Sequence, residues 1–292
     1  MIHIQAPFNI ADYNDLSGVQ SLPPKIKTWL GKAQKVEAEL KKNNKSLTQS
    51  HSLIELKKSL WRDEDLIEWL LKLSDDKCWY TEVKHGADYP EIEHFRPKKG
   101  AKDERGKDVT DGYYWLAFNL ANYRLCKPMP NRKKGTYFPI LDERKRARSH
   151  QDCHLDELPL FLDPLSPRDF TKISFNDNGK SVPSRDCSVI QKRRVTFTIK
   201  HFGLNHVVLN RRRKNVWLKC RNLYFQHIRY AADAERNGSI RSDEKAEQAA
   251  ISILKMIHKS SEFSATARAA LSAIGADTAH RLASSSGIDP NS

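Results

Sequence analysis

The sequence predicts a mainly helical chain, α+β overall, with one compact short-stranded unit set among the helices. Apolar residues recur at helical spacing over 24–45 and 62–76. From Cys78 to Pro139 the texture changes to aromatics, Gly, Pro and single His and Asn residues, with short strand-like pieces. Beyond residue 243 the chain returns to Ala-rich helical stretches. The expected organisation is an N-terminal helical scaffold over 1–76 and the short-stranded unit over 77–140. A basic linker and helical segment over 141–240 and C-terminal helices with a disordered tail over 241–292 complete it.

Each element follows from its residues. PKIKTWLGKAQKVEAELKKNNK (24–45) spaces Ile26, Leu30, Val36 and Leu40 among charges, an exposed amphipathic helix starting beside Pro24. In RDEDLIEWLLKLSDD (62–76), Asp63 is placed to cap a helix whose apolar stripe is Leu66, Trp69, Leu70 and Leu73. CWYTEV (78–83) and EIEHF (91–95) are strand-like, RPKKGAKDERGKDVTDG (96–112) is a charged loop, and YYWLAFNLANYRL (113–125) is a buried helical segment. From Gln191 through Ala232 there are eleven Lys/Arg and no Asp/Glu, interleaved with Phe197, Phe202 and Trp217, which predicts a basic face on a folded element. Two Ala-rich helices are expected over 243–282, and SSSGIDPNS is a disordered end. No internal repeat is present.

Composition bounds the function. The 292 residues suffice for one large or two modest domains, and 39% hydrophobic content is ordinary for a soluble protein. Fifty Lys+Arg against 36 Asp+Glu leave a net charge of +14, a field that attracts polyanions. Nucleic acid is the first partner to expect, an acidic protein or membrane surface the second. MIHIQAPFNIADYND lacks a basic region followed by an apolar run, and no stretch approaches the roughly 18 apolar residues of a spanning helix, so a cytoplasmic protein without membrane contact is expected. Five widely spaced cysteines argue for free thiols rather than a disulfide framework.

The chemistry concentrates at IEHFRPKKG (92–100), where an acid, a histidine and three cations adjoin. Phosphodiester hydrolysis needs a base for water, a cation for the charge developing on phosphorus, and groups that hold both in place. His94 is the candidate base, because an imidazole with a pKa of roughly 6.5 accepts a proton near neutrality. Glu93 alternates with it on the strand, so the two point to opposite faces unless the strand ends there.

The order of acid-His, Asn and Asn, with Lys/Arg after the last, resembles the HNH endonucleases. More closely, IEHFRPK, YYWLAF and NRKKGTYFP, followed by LPLFLDPLSPRD and GLNHVVLNRRR, resemble the HNH nuclease subunit of Septu-type anti-phage systems and of the retrons that borrow it. The resemblance covers roughly Lys77 to Trp217. It implies a ββα-metal finger over about Cys78 to Pro139 that holds Mg²⁺ or Mn²⁺ against a scissile phosphate. It assigns Asn122 to orient His94 through its side-chain amide, and Glu93 with Asn131 to hold the ion. Arg96, Lys98, Lys133 and Lys134 would then grip flanking phosphates. It also implies an ABC/SMC-like ATPase partner and, in retrons, a reverse transcriptase with its msDNA.

Many relatives carry a zinc on two Cys-x-x-Cys pairs bracketing this finger. The equivalents here read Cys78-Trp79-Tyr80-Thr81 and Cys126-Lys127-Pro128-Met129, half the ligands, so no structural zinc is expected. The loss leaves open an alternative, a catalytically degenerate HNH protein serving as a nucleic-acid-binding or assembly subunit. Arg193, Arg194, Arg211, Arg212, Arg213 and Lys214 form the expected surface for a partner or nucleic acid. With Leu204, Val207, Val208 and Leu209 as an apolar seam beside them, an acidic protein partner is favoured there.

Overall fold

The computed structural model describes residues 1–2, 4, 21–42 and 46–275; the tail SSSGIDPNS lies outside the described residues. Helix α1 spans Pro24–Leu40, with proline opening its first turn and Ile26, Trp29, Leu30, Ala33, Val36 and Leu40 buried along one face. A second helix that the spacing did not announce, α2 (Leu47–Leu56), starts from a capping box between Ser46 and Gln49. In α3 (Glu64–Lys72) the Asp63 carboxylate accepts from the Leu66 amide at 3.1 Å, as expected, with Glu64 and Asp65 in the first turn and Lys72 in the last.

The short-stranded unit follows, with two differences from expectation. CWYTEV is a tight turn, not a strand: the Cys78 amide donates to the Val83 carbonyl at 2.9 Å and Glu82 sits at φ 66°. YYWLAFNLANYRL makes 3₁₀ turns at Tyr114–Leu116 and Leu120–Asn122 and then a strand, β4 (Tyr123–Cys126). The Asn119 side chain caps the second turn by accepting from the Ala121 amide, and pairing with β1 (Glu91–His94) claims the rest. The antiparallel register sets Glu93 opposite Arg124 and His94 opposite Tyr123. Between them a small hairpin, β2 (Ala101–Lys102) and β3 (Asp108–Thr110), occupies the charged loop. Helix α4 (Pro128–Lys134) packs on β1 and ends at Gly135, φ 54°. Two antiparallel strands and a helix thus succeed one another in this unit.

A second hairpin, β5 (Ile173–Phe175) and β6 (Ser181–Pro183), precedes α5 (Val189–Phe202), which opens on a Ser188–Gln191 capping box. Gly203, at φ 64°, turns the chain into α6 (Val207–Asn237). Helices α7 (Ile240–Ile257) and α8 (Ser264–Ser272) pack against α6 and bury Trp217, Cys220, Ile253 and Leu271.

The N-terminal helices do more than flank the strand unit. Trp29, Leu30, Leu66 and Leu70 share one core with Trp79, Ile92, Phe118, Tyr123 and Leu125. A second core joins Tyr80, Phe95, Trp115 and Phe138 to Phe161, Phe197 and Phe202. The strand unit is therefore clamped between the N-terminal helices and α5, which holds its polar residues in place. No helix among the described residues is long and apolar enough to cross a membrane.

Candidate functional site

On β1, Glu91 and Glu93 share a face because strand side chains alternate, and both meet α4. Asn131 Nδ2 donates to Glu91 Oε2 at 2.8 Å, and Lys134 Nζ lies 2.5 Å from Glu93 Oε1. Asn131 and Lys134 are three positions apart on α4, hence on one side of it. The Glu93 and Lys134 side chains are 2% and 1% exposed, and Lys134 also donates to the His94 carbonyl at 2.9 Å. Tyr80 Oη donates to the second Glu93 oxygen at 3.4 Å.

His94 ends β1 and turns the other way. Its Nε2 lies 2.9 Å from the Ala117 carbonyl oxygen, which can only accept, so Nε2 carries the proton and Nδ1 the lone pair. The ring is held edge-on to Trp61 and Tyr123, with centroids 5.2 and 5.1 Å away. Lys98 Nζ stands 3.4 Å from Nδ1 and 4.9 Å above the Trp61 ring. Burial above all, then the Lys98 and Lys134 charges, pushes the His94 imidazole well below its usual range, so it is neutral at pH 7. Burial also brings Lys98 down to about 8, against the pull of Glu93. Lys134 is lowered by burial too, with Glu93 opposing. The strand therefore presents a neutral imidazole with its Nδ1 beside the Lys98 ammonium on one face, and the Glu93 carboxylate beside the Lys134 ammonium on the other.

Other expected residues lie elsewhere. Asn122 does not touch the imidazole: its Oδ1 accepts from the Arg96 amide at 2.8 Å, and its Nδ2 donates to the Arg96 and Leu116 carbonyls at 3.0 and 3.1 Å. It fixes the backbone that leaves His94, while Ala117 orients the ring. Arg96 points away from the site, with its guanidinium on Glu157 Oε2 and the His154 carbonyl, both at 2.8 Å, and over Phe138. Lys133 is exposed, and its stem runs beside Gly203.

The basic segment divides sharply. Arg194 is buried on Asp169 and the Pro159 and Phe161 carbonyls, and Arg213 is buried on Ser181 and the Leu204 carbonyl. Arg193 pairs with Glu104 and Arg212 with Glu262, leaving Arg211 and Lys214 exposed without an ion pair among the described residues. The expected apolar seam also divides: Leu204 and Leu209 are core, while Val207 and Val208 are exposed.

Cys78 and Cys126 are buried side by side. Burial favours the neutral Cys78 thiol, but hydrogen bonds from Cys126, Thr81 and the Lys127 amide outweigh it and bring the thiol down to about 6. Among the described residues no three His, Cys, Asp or Glu side chains converge as a metal cage. The hard-ion donors on this face of β1 are the Glu91 and Glu93 carboxylates and the Asn131 amide oxygen, whose nitrogen end Glu91 already holds. These oxygens suit Mg²⁺ or Mn²⁺. Lys134 is a built-in competitor for Glu93.

Three contributors escaped the sequence. Trp61 comes from more than thirty residues upstream and no local pattern announces it. The Ala117 carbonyl is a backbone group. Glu91 was accessible, since it stands two positions before Glu93 on the same strand face.

Curated proteins that align with this chain include the Septu protein PtuB of Bacillus mycoides (strain KBAB4). It is 35% identical over 122 residues, which are 41% of this chain and 41% of the relative. A candidate HNH endonuclease of retron Vc95 from Vibrio cholerae serotype O1 biovar El Tor is 26% identical over 144 residues, 49% of this chain and 59% of the relative. The chain thus spans about half the length of these relatives. No protein-family model matches it.

Proposed function

We propose, from the premise that this chain is an HNH-family relative of the Septu PtuB protein, that it is a metal-dependent HNH endonuclease that hydrolyses phosphodiester bonds. Within that reading β1, β4 and α4 are the ββα-metal finger, and the protein is the effector of an anti-phage system that works with an ATPase partner. The observation that carries the reading is the His94 environment. A neutral imidazole has Nε2 tied to the Ala117 carbonyl and its Nδ1 lone pair beside the Lys98 ammonium.

Glu93 and the Asn131 amide oxygen would hold the ion, and a bound Mg²⁺ or Mn²⁺ supplies charge stabilisation at the phosphate. Nδ1 of His94 takes the proton of the attacking water: the neutral state imposed by burial leaves that nitrogen unprotonated, and its long 3.4 Å contact from Lys98 is the one exchanged for the water. Lys98, which has no carboxylate within ion-pair distance among the described residues, is available to a phosphate oxygen. Trp61 keeps Lys98 and the imidazole together and sheds water from them.

The degenerate-subunit alternative draws support from one observation, the buried Glu93–Lys134 pair that occupies the carboxylate. Incubating purified protein with plasmid and with RNA in Mg²⁺ or Mn²⁺, beside His94→Ala, decides between them. Cleavage that disappears in the variant supports the enzyme; no cleavage by either protein supports the subunit.

A further inference from the structure

Four of the five cysteines are buried, and their sulfurs meet different neighbours. Cys187 Sγ donates to the Lys172 carbonyl at 3.4 Å and Cys220 Sγ to the Ala267 carbonyl at 3.5 Å. A carbonyl can only accept, so both are held as thiols, and burial raises Cys220 to about 11. Cys78 is the exception. Its sulfur accepts from the Lys127 amide at 3.4 Å and from Thr81, donors that stabilise a thiolate. A second sulfur stands beside it, the Cys126 thiol, which donates to it. The backbone keeps the two residues together, because the Trp79 amide donates to the Leu125 carbonyl at 3.0 Å. Both side chains are fully buried.

We propose that Cys78 and Cys126 are a peroxide-sensitive dithiol, which a hydroperoxide converts into a disulfide that fastens the 78–83 turn to the start of α4. The Cys78 thiolate attacks one peroxide oxygen, the O–O bond breaks and hydroxide leaves, which gives a sulfenic acid. The Cys126 sulfur then attacks the Cys78 sulfur, the S–O bond breaks and the S–S bond forms. The Cys126 proton and the departing hydroxide make water. Two thiols thus lose two electrons and two protons, and hydrogen peroxide becomes two waters. Attacker and resolver are distinct: Cys78 has the thiolate donors, while burial pushes the Cys126 thiol well above its usual range. Burial also keeps bulky reagents and other chains away, whereas hydrogen peroxide is uncharged and close to water in size, so the link forms within the chain. Cys126 lies opposite Glu91 on β1, and Lys127 is the cap residue before α4. The link therefore ties the turn of Tyr80, which meets Glu93, to the helix that carries Asn131 and Lys134.

The test treats the folded full chain with hydrogen peroxide, using Cys153→Ser to remove the exposed thiol, and stops the reaction with catalase. The protein is then denatured, alkylated, digested with trypsin and read by mass spectrometry. Peptides 78–84 and 125–132 should be recovered joined, and dithiothreitol should separate them. The pair should be lost at least about tenfold faster than the Cys187 and Cys220 thiols, because the thiolate is the reacting species. The linked protein should unfold at a higher urea midpoint than the same sample reduced, since its unfolded chain is closed into a loop.

Recovery of the two peptides unlinked, or carrying sulfinic acid in place of a link, overturns the proposal. So does loss of all four buried thiols at one rate, since oxidation would then follow unfolding. A link that leaves the urea midpoint unchanged or lower overturns the fastening role. A stoichiometric zinc that survives dialysis against EDTA and protects both sulfurs also overturns the proposal, making the pair metal ligands. None of these measurements uses cleavage, so the nuclease assignment is judged separately, by His94→Ala.

Discussion

His94 is held by two rings and one carbonyl, and this confinement determines how it should be tested. It is 6% exposed, so truncation to alanine opens a space as well as removing the base. His94→Gln keeps more of the volume. Loss of a positioned base typically costs about 10²–10⁴-fold in rate, and both variants should lose cleavage by that order while His94→Gln melts close to the parent. Parental cleavage rates would take His94 out of the reaction. Asn122→Ala should behave differently. It leaves three backbone groups of Arg96 and Leu116 without their partner inside the protein, at roughly 1–3 kcal/mol for each buried group that water cannot reach. Urea unfolding should show a large drop for Asn122→Ala and a small one for His94→Gln; the reverse order would show that Asn122 is not a backbone clamp.

The contact between β1 and α4 is built from two polar pairs rather than an apolar seam. Glu91 meets Asn131 and Glu93 meets Lys134. Breaking a buried ion pair on one side costs about 3–5 kcal/mol because the other charge stays buried, whereas replacing both partners can be near neutral. Lys134→Met alone should therefore destabilise strongly, and Glu93→Gln/Lys134→Met should recover most of the loss in urea unfolding. Additive losses would show that the two side chains do not act as a pair. In the same Lys134→Met protein, Mn²⁺ should bind more tightly by titration calorimetry, since the competing ammonium is gone; weaker binding would mean Lys134 helps hold the ion. The strand EIEHF was legible because its alternation is local. Helix α4 was not, being a seven-residue turn opened by Pro128 with Pro130 inside it, stabilised by the carboxylates of a strand more than thirty residues away.

Across the whole molecule, the buried His85 and the half-buried His154 join His94 in making stability depend on pH. Burial lowers His85 to about 4 and His154 to about 3. The unfolded chain takes up those protons near pH 6.5, so between about 6.5 and about 4 it binds more protons than the folded chain. Stability from these groups is complete above 6.5 and is lost as the pH falls toward 4. Paired carboxylates add their own acid sensitivity, so the informative comparison is with His85→Leu. Both His85 ring nitrogens are buried with no hydrogen-bond partner among the described residues, so the leucine variant should be at least as stable at pH 7 and lose less on going to pH 4.5. An equal fall in urea midpoint for the two proteins would show that His85 does not titrate on unfolding.

At this same scale the division between sequence and fold has a physical cause. The sequence by itself determined the helical N-terminus with its Asp63 cap, the strand ending in His94, and the basic character of residues 191–232, because periodicity, capping and charge are local properties of the chain. Glu93, His94, Lys98 and Lys134 were named from it, and the fold sets them as two pairs, Glu93 with Lys134 on one face of β1 and His94 with Lys98 on the other. Only the tertiary structure decided what each one faces. It set Trp61 against His94, turned Arg96 onto Glu157, made Asn122 a backbone clamp, and sorted the basic segment into buried, acid-paired and exposed cations. A side chain's charge is written in its residue type, but its partner is set by whichever element packs opposite it. Here those elements come from separate parts of the chain.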